Sequence, residues 1–273
     1  MAFFRKKQED NSELNFRAKR RAILSENSDF SVKEAYKTLR TNIRFSLADS
    51  GCKKLCVTSG LPSEGKSITV LNVAISFAET GQRVLLVDAD LRRPTLARLL
   101  IENGDPGLSN VLAGMCSEED AIRSTQYANL DVIYSGVIPP NPSELLSSPR
   151  MEKLLESLAK KYDYIFFDTP PVNVVTDACV VAPLLDGVLF VVRQNRSERD
   201  TVSKGVHQLE IAGSKILGFV LNGVVENKSR KYSRYDRYGY YRYEYRTNDR
   251  SRVQTKTATG AKLAQPKATA TKK

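Results

Sequence analysis

The stretch Lys54-Leu-Cys-Val-Thr-Ser59-Gly60-Leu-Pro-Ser-Glu-Gly65-Lys66-Ser67 decides the fold. Its first six residues form a short apolar run with the composition of a buried strand, and residues 67–80 that follow have the composition of a helix, with Gly81 as its stop signal. Between them, Gly60, Leu61, Pro62, Ser63, Glu64, Gly65, Lys66 and Ser67 match the phosphate-binding pattern G-x-x-x-x-G-K-[ST] in the strand–loop–helix setting that this pattern requires. The glycines let the backbone wrap a phosphate chain with successive N–H groups pointing inward. The helix N-terminus adds partial positive charge, and Lys66 adds a full one. Ser67 is placed to coordinate Mg²⁺. The segment therefore predicts binding of a nucleoside triphosphate.

Outward from the loop, further short apolar runs lie at Arg83–Asp88, Leu130–Ser135, Tyr164–Asp168, Gly187–Val192 and Ile216–Leu221, and helical stretches at Pro149–Lys161 and Arg199–Ala212. The alternation predicts an α/β domain: a mostly parallel sheet with helices on both faces, its strands buried on both sides. Ser31 to Leu47, with helical spacing at Ala35, Leu39 and Ile43, predicts an added N-terminal helix. The expected organisation is a flexible basic segment over 1–27, the nucleotide-binding domain over 28–227 and a disordered basic tail over 228–273.

Two of these strands end in acids. Val84-Leu-Leu-Val-Asp88-Ala-Asp90 carries two, and Tyr164-Ile-Phe-Phe-Asp168 carries one. Ligands of open α/β sheets sit at the carboxyl ends of the strands, so all three acids are expected to converge on the phosphates. Asp168 is the expected Mg²⁺ partner through water, because Mg²⁺ tends to keep its hydration. Asp88 or Asp90 is placed to orient an attacking hydroxyl or water.

Composition removes several other chemistries. His207 is the only histidine, which excludes histidine triads and multi-histidine metal sites. Cys52, Cys56, Cys116 and Cys179 have no zinc-like spacing and read as small hydrophobes. No run of about 18 apolar residues is present, and the N-terminus lacks the apolar core of a secretory signal. The net charge of +11 is concentrated at one end: residues 228–273 hold 14 basic and three acidic residues, and the other 227 residues hold 28 of each sign. That tail is poor in core-forming residues, and its last part is low-complexity Thr, Ala and Lys. Yet Tyr232, Tyr235, Tyr238, Tyr240, Tyr241, Tyr243 and Tyr245 place seven of the 12 tyrosines in 14 residues. Base stacking on nucleic acid and multisite tyrosine phosphorylation both account for such a cluster.

With these elements together, the sequence resembles the bacterial tyrosine kinases of the deviant P-loop ATPase group, which also includes cell-division and plasmid-partition ATPases. The carriers are the loop, Leu85-Leu-Val-Asp88-Ala-Asp90-Leu-Arg-Arg-Pro, Phe166-Phe-Asp168-Thr-Pro-Pro and the tyrosine cluster. Partition-type members have an extra lysine early in the loop, and Leu61, Pro62 and Ser63 show none.

The resemblance implies Lys66, Asp88 and Asp90 as catalytic residues, with Asp88 the base toward a tyrosine hydroxyl. It places Ser67, Asp90 and Asp168 around Mg²⁺, ATP in the loop and Asn222 near the adenine. It implies autophosphorylation of the seven tail tyrosines between subunits of a ring-like homo-oligomer. Self-association in the family uses E-x-x-R-x-x-R, and here Glu34, Lys37 and Arg40 stand in its place. Lysine keeps the charge of the first arginine but loses its fork geometry. A cytoplasmic kinase is implied, recruited to the inner membrane face by a separate membrane-bound activator, a polysaccharide chain-length regulator, in capsular or exopolysaccharide production. Protein-tyrosine substrates and a phosphotyrosine phosphatase are the other implied partners, and nucleic acid is not among them. The other readings of the same residues are a partition or positioning ATPase that hydrolyses ATP on water, and a basic-tail binder of nucleic acid or membrane that uses nucleotide as a switch.

Overall fold

The computed structural model describes residues 16–47 and 51–224. The tail, the tyrosine cluster and the first 15 residues lie outside the described residues.

Seven strands form one sheet: β1 (Lys53–Ser59), β2 (Val84–Asp88), β3 (Ile122–Ser124), β4 (Leu130–Ile133), β5 (Tyr164–Asp168), β6 (Gly187–Arg193) and β7 (Ile216–Asn222). Their order is β3-β4-β2-β5-β1-β6-β7. Every neighbouring pair is parallel except β3–β4. The helices are α1 (Phe30–Ser46), α2 (Lys66–Ala78), α3 (Leu96–Leu100), α4 (Leu108–Ala113), α5 (Glu118–Ala121), α6 (Pro142–Leu146), α7 (Pro149–Leu158), α8 (Asp177–Val181) and α9 (Arg199–Ile211).

Strand alternation sorts the apolar side chains into two cores, one on each face. Leu55, Val57, Leu86 and Phe166 point to the face covered by α1, α2 and α3. Cys56, Leu85, Val87, Ile165 and Phe167 point to the face covered by α4 and α6–α9. Burial on both faces is why these strands read as continuous Val, Ile, Leu and Phe. On the first face, Phe77 of α2 wedges between Tyr164 and Phe166, with ring centroids 4.4 and 5.3 Å away. All six expected strands form. β4 stops at Ile133, two residues early, because the Tyr134 and Ser135 carbonyls turn to accept the Leu108 and Ser109 N–H groups at 2.7 and 2.9 Å.

Two expectations are corrected, and one strand is additional. Residues 16–27 do not stand apart from the domain. Phe16 and Leu24 are buried in the first core, and the Leu24 N–H donates to Asn72 Oδ1 at 2.8 Å while Asn72 Nδ2 donates to the Ala22 carbonyl at 2.9 Å. The basic character of the segment hid its two apolar anchors. The packed face of α1 is Tyr36, Leu39 and Ile43, whereas Ala35 is exposed. The three-residue antiparallel β3 was not expected at all, being too short to show alternation.

Candidate functional site

The carboxyl ends of β1, β2 and β5 bring the predicted residues together. Gly65 ends the loop with φ +96°, and a Cβ placed there would lie 1.9 Å from Asn222 Nδ2, so only glycine fits. Lys66 opens α2 and folds back over the strand ends. Its ammonium lies 2.9 Å from Asp90 Oδ2 and 3.4 Å from Asp168 Oδ1, with the Ser67 hydroxyl at 3.5 Å. Asp88 and Asp168 are register partners across β2 and β5. Asp88 and Asp168 are fully buried, and Lys66 and Asp90 nearly so.

Three buried carboxylates around one ammonium leave negative charge uncompensated. Burial, followed by repulsion from Asp168, pushes the Asp88 carboxyl up to about 8. Burial also raises Asp168, against the pull of Lys66 and the nearby Ser67 hydroxyl. Burial alone would lower Lys66, but Asp168 and Asp90 outweigh it and hold the ammonium above its ordinary range. Asp168 Oδ2 is buried without a hydrogen-bond partner. An orphaned carboxylate oxygen beside Ser67 in a charge-deficient cluster suits a divalent cation. Among the described residues no three His, Cys, Asp or Glu form a metal cage. Mg²⁺ is held by one or two carboxylates plus phosphates and water.

Asp88 has a structural role that the sequence did not show. Its Oδ1 accepts the Asp90 N–H at 3.2 Å, and its Oδ2 accepts the Thr95 and Leu96 N–H groups at 3.2 and 3.1 Å, so it also builds the turn into α3. Asp90 Oδ1 accepts the Arg93 N–H at 3.0 Å. Arg92 forms a two-pronged pair with buried Asp177, Nε–Oδ2 2.8 Å and Nη2–Oδ1 3.0 Å, and Ser143 donates to the same carboxylate at 2.6 Å. This triad ties the loop after Asp90 to α6 and α8. Its members are 34 to 85 residues apart and carry no joint signal in the sequence.

Two other predicted groups are engaged within the chain. Asn222 lies against the loop, its Nδ2 donating to the Glu64 carbonyl at 2.9 Å and its Oδ1 accepting the Gly223 N–H at 2.8 Å. On α1, Lys37 pairs with Glu34 at 2.8 Å on the exposed surface, whereas Arg40 donates to the Ser76 carbonyl in the last turn of α2.

A phosphate loop, its lysine and acids at the carboxyl ends of a parallel sheet define a P-loop nucleotide-binding protein. The family model described as an AAA domain matches residues 61–209. Tyrosine-protein kinase YwqD of Bacillus subtilis is 41% identical over 208 residues, covering 76% of this chain and 85% of that protein. Putative tyrosine-protein kinase CapB of Staphylococcus aureus is 36% identical, covering 75% and 90%. The chain belongs to the bacterial tyrosine-protein kinases, enzymes that use ATP with Mg²⁺. Among solved structures, the kinase domain of the Escherichia coli tyrosine kinase ETK superposes with a TM-score of 0.70 at 38% identity, covering 74% of this chain and 80% of that one. The septum site-determining protein MinD of Pyrococcus horikoshii, complexed with Mg-ADP, reaches 0.56 at 28%, covering 65% and 72%.

Proposed function

We propose that this kinase transfers the γ-phosphoryl group of ATP to the seven tyrosines Tyr232, Tyr235, Tyr238, Tyr240, Tyr241, Tyr243 and Tyr245, from one subunit to the next. The observation that carries this is the placement of the remaining tyrosines. Tyr36, Tyr127, Tyr134, Tyr162 and Tyr164 are all buried or half-buried in the folded domain, and the Tyr162 hydroxyl is committed to Asp131 at 2.9 Å. A phenol must leave the core to be an acceptor, which disfavours Tyr134 and Tyr162 and supports the clustered tyrosines as the acceptors.

In this reading the loop N–H groups and Lys66 hold the β- and γ-phosphates, and Ser67, Asp90 and Asp168 hold Mg²⁺, which neutralises charge on the phosphates when bound. Asp88, at the carboxyl end of β2 and in register with Asp168, is the base toward the tyrosine hydroxyl. Asn222 borders the base end of the nucleotide. Glu34 and Lys37 offer an exposed charged face for ring assembly.

A polysaccharide-synthesis role, a separate membrane-bound activator, protein-tyrosine substrates beyond the tail and an opposing phosphotyrosine phosphatase complete the proposal. The chain spans 85% and 90% of YwqD and CapB but 30% of putative tyrosine-protein kinase EpsB of Ralstonia nicotianae. Among the described residues no helix is long and apolar enough to cross a membrane. In this reading the kinase is recruited to the inner membrane face by that second polypeptide, the activator.

The test mixes a Lys66→Met protein with an active copy lacking residues 232–245 and Mg·ATP. Phosphotyrosine on the Lys66→Met chain is expected. Its absence, with wild type still labelling itself, would place the transfer within one chain.

A further inference from the structure

The phosphate loop is braced from outside by residues that no motif includes. The Ser63 carbonyl accepts Arg193 Nη1 at 3.1 Å, and the Glu64 carbonyl accepts Asn222 Nδ2 at 2.9 Å. In a trans peptide the C=O and the following N–H point in opposite directions. Holding these two carbonyls outward therefore aims the Glu64 and Gly65 N–H groups into the cradle.

The Glu64 side chain completes the brace. It is 1% exposed, its Oε2 accepts the Leu61 N–H at 2.9 Å, and its Oε1 accepts the Ser197 hydroxyl. Ser197 Oγ in turn accepts the Arg193 N–H at 2.8 Å, and the Gln194 N–H donates to the Asn222 carbonyl at 2.9 Å. The turn over residues 193–197 thus connects the ends of β6 and β7 to the loop. Ser63 sits at φ +66°, a conformation that a serine holds only when its neighbours enforce it.

We propose that Arg193 and Ser197 are positioning residues for nucleotide binding, which act through Glu64 and the Ser63 carbonyl to pre-set the direction of the loop N–H groups. The proposal rests on residues 60–67 being the ATP site. A loop pre-set in this way binds phosphate without first losing backbone freedom, so the effect belongs in nucleotide affinity more than in turnover.

The experiment measures equilibrium binding of Mg·ADP, KM for ATP and kcat in the full chain for wild type, Ser197→Ala, Ser197→Thr, Arg193→Ala, Arg193→Lys and Lys66→Met. Ser197→Ala and Arg193→Ala are expected to weaken Mg·ADP binding and raise KM about tenfold each, or ~1.4 kcal/mol, with kcat within about twofold of wild type. Ser197→Thr keeps the hydroxyl and should restore binding, and Arg193→Lys should restore it in part. Wild-type affinity in both alanine variants, or equal losses in Ser197→Thr and Ser197→Ala, would overturn the proposal. A fall in kcat at unchanged KM would overturn it as well. Failure of wild type to bind Mg·ADP, or normal activity in Lys66→Met, would instead overturn the site itself.

Discussion

The Lys66 ammonium lies 2.9 Å from Asp90 Oδ2, and it is held there by carboxylates of two different strand ends. Lys66 is the one full positive charge on the phosphate loop, so Lys66→Met should lower phosphorylation about 100- to 1,000-fold or more while the fold persists. Circular dichroism and phosphotyrosine detection on the same purified protein check both halves. Retained phosphotyrosine would remove Lys66 from the site.

Among the described residues Asp168 Oδ2 has no hydrogen-bond partner, and the proposed Mg²⁺ site would supply one. Asp168→Asn should raise the Mg²⁺ concentration for half-maximal activity at least tenfold. It should leave the nucleotide-free protein as stable as wild type or more so, since a buried carboxylate with a raised pKa is replaced by a neutral amide. A normal Mg²⁺ titration would contradict the role.

Asp88 gives a pH signature of uncommon sign. Its folded-state pKa, about 8, lies above the carboxylate value of 3.8 that it has when unfolded, so the folded protein binds the extra proton between these limits. Its contribution to stability is therefore full below about pH 4 and is lost as pH rises toward 8. Against an Asp88→Asn protein, which carries a pH-independent penalty for poorer capping of the turn at Thr95 and Leu96, wild-type Tm should fall progressively from pH 5 to pH 8 without nucleotide. A constant Tm difference over that range would show that Asp88 titrates normally.

Arg40 and Lys37 lie one helical turn apart and should behave differently. Arg40 supplies a donor to the Ser76 carbonyl, one of the orphan acceptors at the end of α2, so Arg40→Ala should cost about 1 kcal/mol of stability. Glu34→Ala and Lys37→Ala remove an exposed pair and should change stability by less than about 0.5 kcal/mol, yet shift the mass seen in light scattering if that face assembles. An unchanged mass in the double variant would take Glu34 and Lys37 out of assembly.

Each phosphotyrosine adds roughly −1.5 to −2 charges at neutral pH, so seven would add on the order of −10 to −14 to a tail of +11. Assembly should weaken gradually with the number of phosphates, and only at close contacts, because the Debye length is about 8 Å at physiological salt. A series of Tyr→Phe tails followed by sizing reads this directly. Control by a single tyrosine, or persistent assembly of fully labelled protein at low salt, would rule out a charge-count mechanism.

The sequence by itself determined the layered α/β fold and the meeting of the loop lysine with the strand-end acids. Strand-ending acids and G-x-x-x-x-G-K-S are local patterns, and a parallel sheet places every strand's carboxyl end along one edge, so Lys66, Asp88, Asp90 and Asp168 had to meet. The short apolar runs likewise revealed β1, β2 and β5 nearly to the residue. Only the tertiary structure decided which partners those side chains keep. Asp177 reaches Arg92 across 85 residues, Ser197 reaches Glu64 across 133, and Asn222 reaches the loop across 158. Phe16 and Leu24 become core residues because α2 and α3 offer them a surface. Such contacts depend on distance in space, which local composition does not encode. A hydrogen bond between distant residues forms only after the sheet has aligned the elements that carry its donor and acceptor.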